Sequence, residues 1–127
     1  MLSDVTPMPT LPTADLDRAR AFYEGVLGFV PGDDLPEGVR YRAGHGAVLV
    51  YPSQYAGTNQ ATALGFEVDP DRFDEEVSAL RAAGVSFDTF EWEGVDWEDG
   101  VASMEGGKAV WFRDPDGNIL NLMAPAS

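Results

Sequence analysis

Cysteine is absent from this chain, lysine and histidine occur once each, and acidic residues outnumber basic ones 22 to 8. Without cysteine there is no disulfide and no thiolate metal site. One histidine cannot build the clusters of nitrogen and carboxylate ligands that metal sites normally gather. That residue, His45, stands between Gly44 and Gly46, where an exposed turn is its ordinary role. The formal charge of −14 repels phosphate backbones, so no nucleic acid is expected as a partner. Such a charge reads either as a solvated shell, suited to solubility or high salt, or as an attraction for a cationic small molecule. No apolar run approaches the roughly 20 residues that a bilayer requires, so no membrane partner is expected. The opening MLSDVTPMPT has no basic region and no long apolar run. A secretory signal is therefore not expected, and a cytoplasmic location is. No GxGxxG or P-loop pattern occurs, so no nucleotide cofactor is implied. No Ser–His–Asp or cysteine nucleophile can be assembled.

What is present fits one globular domain of 127 residues with 44% apolar content. Val5–Leu11 predicts a short strand, and Pro7, Pro9 and Pro12 place it at a sheet edge. Asp15 is a good helix N-cap. Leu16, Ala19, Phe22, Tyr23, Val26 and Leu27 then follow helical spacing to a stop at Gly28. Phe22 and Tyr23 read as helix-to-sheet packing, with the tyrosine hydroxyl free to reach a pocket rim. Gly38–Ala43 and Ala47–Tyr51 predict a strand pair, the second apolar throughout and so covered on both faces. The polar stretch PSQYAGTNQAT (Pro52–Thr62) is either a linker or a loop over a pocket.

The second half repeats this order with little residue identity. Ala61–Val68 predicts a strand with Leu64, Phe66 and Val68 on one face and Ala63, Gly65 and Glu67 on the other. Asp69 and Pro70 open a helix whose buried stripe is Phe73, Val77 and Leu80. Val85–Phe90 predicts a further strand. Glu91–Gly107 then reads as a long loop leading into a strand near Val101–Met104. It sets Trp92 and Trp97 among six carboxylates, Glu91, Glu93, Asp96, Glu98, Asp99 and Glu105. These indoles suit a flat or cationic ligand, a dimer interface, or the anchoring of the loop itself. Finally AVWFR (Ala109–Arg113) and NILNLM (Asn118–Met123) flank the turn DPDGN, a tight hairpin signal.

The strand–helix opening PTADLDRARAFYEGVLGF (Pro12–Phe29) and the closing FRDPDGN hairpin together resemble the vicinal oxygen chelate superfamily. That superfamily includes glyoxalase I, bleomycin-resistance proteins and extradiol dioxygenases. The resemblance implies an α+β fold of two βαβββ modules, about 1–58 and about 59–127. Their curled mixed sheets would form a cup with the helices outside. It also implies four cup-facing positions that hold a divalent metal in the family's metalloenzymes. Here they fall at Met8, at or beside Val50, at Ala63 and at Asn121. A thioether, two alkyl groups and a carboxamide do not hold such a cation against water, so no metal or other cofactor is expected. The resemblance is closest to the metal-free bleomycin-resistance branch.

The leading expectation is therefore a protein that binds or sequesters a small hydrophobic, aromatic or cationic molecule, as a homodimer. The expected lining is Met8, Thr10, Val48, Val50, Ala63, Glu67, Trp111, Ile119, Asn121 and Met123, with Trp92 and Trp97 from the loop. Glu67 is the one candidate for a general base, as a carboxylate held in an apolar cup. Two alternatives stay open: a metal-dependent lyase, isomerase or dioxygenase of the glyoxalase type, and a module whose acidic face docks a basic protein.

Overall fold

Each half of the chain runs strand, helix, strands, and each lays its last strand parallel to its first. The computed structural model describes residues 1–35 and 38–126. They divide into two units: Met1–Asn59 with the turn Asp114–Asn118, and Gln60–Arg113 with Ile119–Ser127. The protein is α+β, with a mixed sheet of four strands and another of five.

In the first unit, β1 (Thr10–Thr13) leads into α1 (Leu16–Arg20), then β2 (Val30–Leu35), β3 (Gly38–Ala43) and β4 (Gly46–Pro52). The sheet order is β1-β4-β3-β2, with β1 parallel to β4. The expected strand at Val5–Leu11 begins later, at Thr10; Pro7 and Pro9 have no N–H to donate, and Pro9 joins β4 only by accepting the Leu49 N–H at 2.9 Å. As their chemistry requires, β1 lies at a sheet edge, and Pro31 lies on the other edge strand, β2. The Asp15 carboxylate accepts from the Arg18 N–H at 3.1 Å and starts α1. From Ala21 to Val26 the helix widens into π geometry, and the Leu27 N–H reaches back to the Phe22 carbonyl at 3.0 Å.

Tyr23, wholly buried, is the anchor of this helix. Its hydroxyl does not reach a pocket rim as expected; it donates to Asp114 Oδ2 at 2.6 Å. The reason lies in the DPDGN turn, which folds back into the first unit. Asp114 Oδ1 accepts the N–H groups of Asp116 and Asn118, both at 2.9 Å. The Asn118 side-chain amide donates to Asp114 Oδ2 at 2.8 Å and to the Pro12 carbonyl at 2.9 Å. Asp116 Oδ1 receives the Ala14 N–H and the Arg18 guanidinium, both at 2.8 Å. Gly117 makes the turn possible, since its φ of +82° is strained for any residue with a Cβ. Burial pushes the Tyr23 phenol far above its ordinary value, and the Asp114 carboxylate beside it adds to the rise.

In the second unit, β5 (Thr62–Glu67) precedes α2 (Pro70–Ala82), followed by β6 (Asp96–Glu98), β7 (Val101–Met104), β8 (Gly107–Arg113) and β9 (Ile119–Pro125). The order is β5-β9-β8-β7-β6, with β5 parallel to β9. One sheet face packs on α2: Phe73 and Val77 meet Val110, Leu122 and Ala124, with Leu80 alongside. Each large side chain there contributes about 1.5–3 kcal/mol by leaving water. Two expectations are corrected here. Val85–Phe90 makes only an isolated bridge, Asp88 to Trp111, because Asp88 meets the ladder edge for a single residue. Glu91–Gly107 is more than a loop: Asp96–Glu98 pairs antiparallel with Val101–Met104 and places Trp97 opposite Ala102.

Candidate functional site

The free face of the second sheet carries a candidate site. Strand register sets its members side by side: Gly65 with Asn121, Glu67 with Met123, Asn121 with Trp111, and Met123 with Ala109. Because side chains alternate across a strand, these residues face away from α2 while Val110 and Leu122 face it. Glu67, Trp92, Ala109, Trp111, Asn121 and Met123 line a cavity of about 280 Å³. On the other side of Trp111 lies a second cavity of about 400 Å³, lined by Thr62, Asp88, Phe90, Arg113 and Ile119.

Trp111 is the hub of an aromatic cluster. Its ring centroid lies 5.0 Å from Phe90, 5.9 Å from Trp92 and 6.0 Å from Trp97. Phe90 stacks on Trp92 at 5.9 Å with planes 18° apart, and meets Trp97 edge-on at 5.2 Å. Offset and edge-on pairs of this kind are favoured by the ring quadrupoles. The Trp111 indole N–H is held by Thr62 Oγ1 at 3.3 Å, and Arg113 pairs with Asp88 at 2.7 Å. Phe90, Trp92 and Met123 are 45%, 46% and 38% exposed, so an apolar rim borders the cavities.

Among the described residues, two polar side-chain atoms of this unit are buried without a hydrogen-bond partner: Asn121 Oδ1 and Trp97 Nε1. Native proteins satisfy nearly all such groups, so each exception marks a place of interest. Asn121 lines the smaller cavity and is 4% exposed.

Of the residues expected to line a site, the second unit brings Glu67, Trp92, Trp111, Asn121 and Met123 to one cavity and Ile119 to the other. Trp97 supports Trp111 from β6. Ala63 stands apart, since the register shifts between Thr62 and Leu64 and leaves it outside the ladder. Glu67 is exposed, not enclosed as the general-base expectation required. In the first unit Met8 precedes β1 and is 36% exposed, and Thr10 is exposed. Val48 and Val50 are corrected: they are 3% and 1% exposed and pair with Tyr41 and Val39 in the core. Thr10 pairs with Leu49, so the face it shares is that of Leu49, one residue out of step with the valines. A one-residue offset reverses the face of a strand. His45 sits in an exposed turn between β3 and β4, as expected. Phe90, Asp88, Arg113 and Gly65 were not expected at a site. The bridge of Asp88 to Trp111, the Arg113–Asp88 ion pair and the packing of Phe90 on Trp111 reveal the first three.

The donor set does not fit a divalent ion. The positions that the family resemblance assigns to a metal offer the Met8 thioether, alkyl side chains and the Asn121 carboxamide. Among the described residues, no three His, Asp or Glu side chains gather to replace them.

No protein of curated function matches the sequence. Solved structures match nearly end to end. A lactoylglutathione lyase from Agrobacterium tumefaciens is 22% identical with a TM-score of 0.69, over 95% of this chain and 93% of that one. A glyoxalase/bleomycin resistance protein/dioxygenase from Alicyclobacillus acidocaldarius is 17% identical with a TM-score of 0.74, over 98% and 93%. The fosfomycin resistance protein FosX from Listeria monocytogenes, complexed with Mn(II) and sulfate, is 16% identical with a TM-score of 0.72, over 99% and 93%. At these identities the likeness is one of fold. Among the described residues no helix is long and apolar enough to cross a membrane. The model of one family covers residues 6–122, and the chain belongs to it: the glyoxalase/bleomycin resistance protein/dioxygenase superfamily.

Proposed function

We propose that this protein binds a small aromatic or cationic molecule on the free face of its second sheet, without a divalent metal and as a homodimer. The observation that carries the reading is the cavity of about 280 Å³ that gathers Trp92, Trp111, Asn121, Met123 and Glu67. Apolar and aromatic walls with a few converging polar groups are the usual makeup of a ligand pocket. Sequestration of an antibiotic is one use of such a site, and the fold shared with FosX makes that class a first choice for screening. The test is a small-molecule screen by thermal shift, followed by tryptophan emission. A ligand at about 100 times its dissociation constant adds about 2.7 kcal/mol to the folded state. Binding in the cavity also quenches emission, because Trp92 and Trp111 form its walls. A confirmed ligand that leaves the emission of all three tryptophans unchanged places its site elsewhere.

A second reading, a metal-dependent lyase or dioxygenase, draws on the fold shared with Mn(II)-bound FosX and lactoylglutathione lyase. Metal analysis of protein purified without chelator separates the two readings. Asn121→Glu restores one carboxylate at the closing position and, on the metal-free reading, creates no tight Zn or Ni binding alone. Nanomolar binding in that single variant would show that the remaining metal ligands are present at other positions.

A further inference from the structure

We infer that the cavity over Gly65 and Asn121 selects ligands bearing a protonated nitrogen with at least one N–H. Asn121 Oδ1 accepts that N–H, and the Glu67 carboxylate supplies the counter-charge. The inference deepens the proposed binding function and rests on it.

Three independent features converge. Asn121 is 4% exposed, and its Oδ1 has no hydrogen-bond partner while the residue lines the cavity. A buried carbonyl oxygen without a donor is rare, and a ligand donor satisfies it. Gly65, its register partner, is the second feature. A Cβ on Gly65 would sit 2.7 Å from Asn121 Oδ1, so glycine alone leaves the oxygen its position. Glycine inside a strand often marks such a close approach. The third is charge. Glu67 lies two residues along the same strand and lines the same cavity, as do Trp92 and Trp111, whose faces attract cations. Lys108 also borders the cavity, but it alternates to the face of β8 opposite Ala109 and Trp111.

The chemistry separates ligand classes. A primary ammonium satisfies both Asn121 and Glu67. A quaternary ammonium matches the charge but gives Asn121 no donor. An alcohol gives the donor without the charge, and an anion meets only acceptors. The probes are therefore 1-naphthylmethylammonium, its N,N,N-trimethyl analogue and 1-naphthylmethanol. They are titrated into the ¹⁵N-labelled full chain, with the indole N–H resonances of the three tryptophans as readout. The primary ammonium is expected to bind about tenfold more tightly than either relative, the scale of one charge-assisted hydrogen bond. Glu67→Gln, on an exposed side chain, should narrow the gap between ammonium and alcohol several-fold. Gly65→Ala and Asn121→Leu should narrow the gap between primary and quaternary ammonium instead. Equal affinities for the three probes would overturn the selectivity and leave the cavity as a binding site. So would a preference for the primary ammonium that neither Glu67→Gln nor Asn121→Leu alters. If no probe moves any indole resonance, the binding function fails and this inference with it.

Discussion

Asn118 and Asn121 stand three residues apart at the start of the same strand region, both almost fully buried, and they live in opposite circumstances. Asn118 belongs to the first unit, where its side-chain amide and backbone N–H make three hydrogen bonds with Asp114 and Pro12. Asn121 belongs to the second, where its side-chain oxygen has no partner. The difference teaches where each unit spends its polar groups. In the first, the turn, the helix and β1 satisfy most of one another's polar groups, with Asp116 Oδ2 left over, and the result is a structural joint. In the second, Trp92 and Trp111 line a cavity beside Asn121, whose buried Oδ1 has no partner. A satisfied network of buried polar groups rigidifies, whereas an unsatisfied one asks for an outside partner.

The strongest way to break this contrast is at Asp114. Asp114→Ala removes the acceptor for the Tyr23 hydroxyl, the Asn118 amide and two backbone N–H groups. It should cost about 3–5 kcal/mol of unfolding free energy in a urea titration, since several buried donors lose their partner at once. A loss under about 1 kcal/mol would show that the turn is not a joint.

The contrast sharpens next by making one substitution at two places. Asn118→Leu should destabilise by about 2–3 kcal/mol, because Asp114 and Pro12 lose donors. Asn121→Leu should leave stability within about 1 kcal/mol or raise it, because no hydrogen bond is lost and an unpaired acceptor disappears. Equal losses at the two positions would mean that Asn121 has a structural partner after all.

Tyr23 adds a pH test of the first unit. Its phenol titrates far higher in the folded protein than in the unfolded chain, where it titrates near 10. Protons are thus bound more tightly by the folded state. The group's contribution is fully present below about pH 10 and is lost as pH rises toward the folded value. Unfolding free energy should fall above about pH 10 by up to about 1.4 kcal/mol per pH unit from this group. Tyr23→Phe should remove that portion of the alkaline decline; an unchanged slope would show that other groups carry it.

The smallest effect is expected in the second unit. Thr62→Val deletes the acceptor of the Trp111 indole N–H at 3.3 Å and should cost about 0.5–1 kcal/mol. Its indole resonance should shift most of the three, as the indole then faces water; a shift confined to Trp92 or Trp97 would contradict the bond.

The helices were legible because their signals are local. Asp15 and Asp69–Pro70 mark the starts, and Phe73, Val77 and Leu80 repeat at the helical period. The DPDGN turn and its flanking strands were legible for the same reason, and Pro7, Pro9 and Pro12 announced an edge strand. Part of the candidate lining follows from alternation alone. Trp111, Asn121, Met123 and Glu67 share a face once alternation is counted from the hairpin, so strand period sufficed for them. Val48 and Val50 went to the wrong face because an all-apolar strand carries no alternation to count from. Phe90 stayed hidden because its segment, expected as a strand, makes only one bridge to Trp111, and the bulge at Ala63 left no mark in composition.

The sequence by itself determined the two helices, the hairpin, the acidic balance and the absence of thiolate or clustered histidine ligands. Those depend on residue identity and on spacing within a few positions, which the chain carries wherever it folds. Only the tertiary structure decided which of two nearby asparagines is satisfied, which face of β4 is buried, and that three aromatic residues meet at Trp111. These depend on register between strands far apart in the chain, where a shift of one residue exchanges the two faces of a sheet.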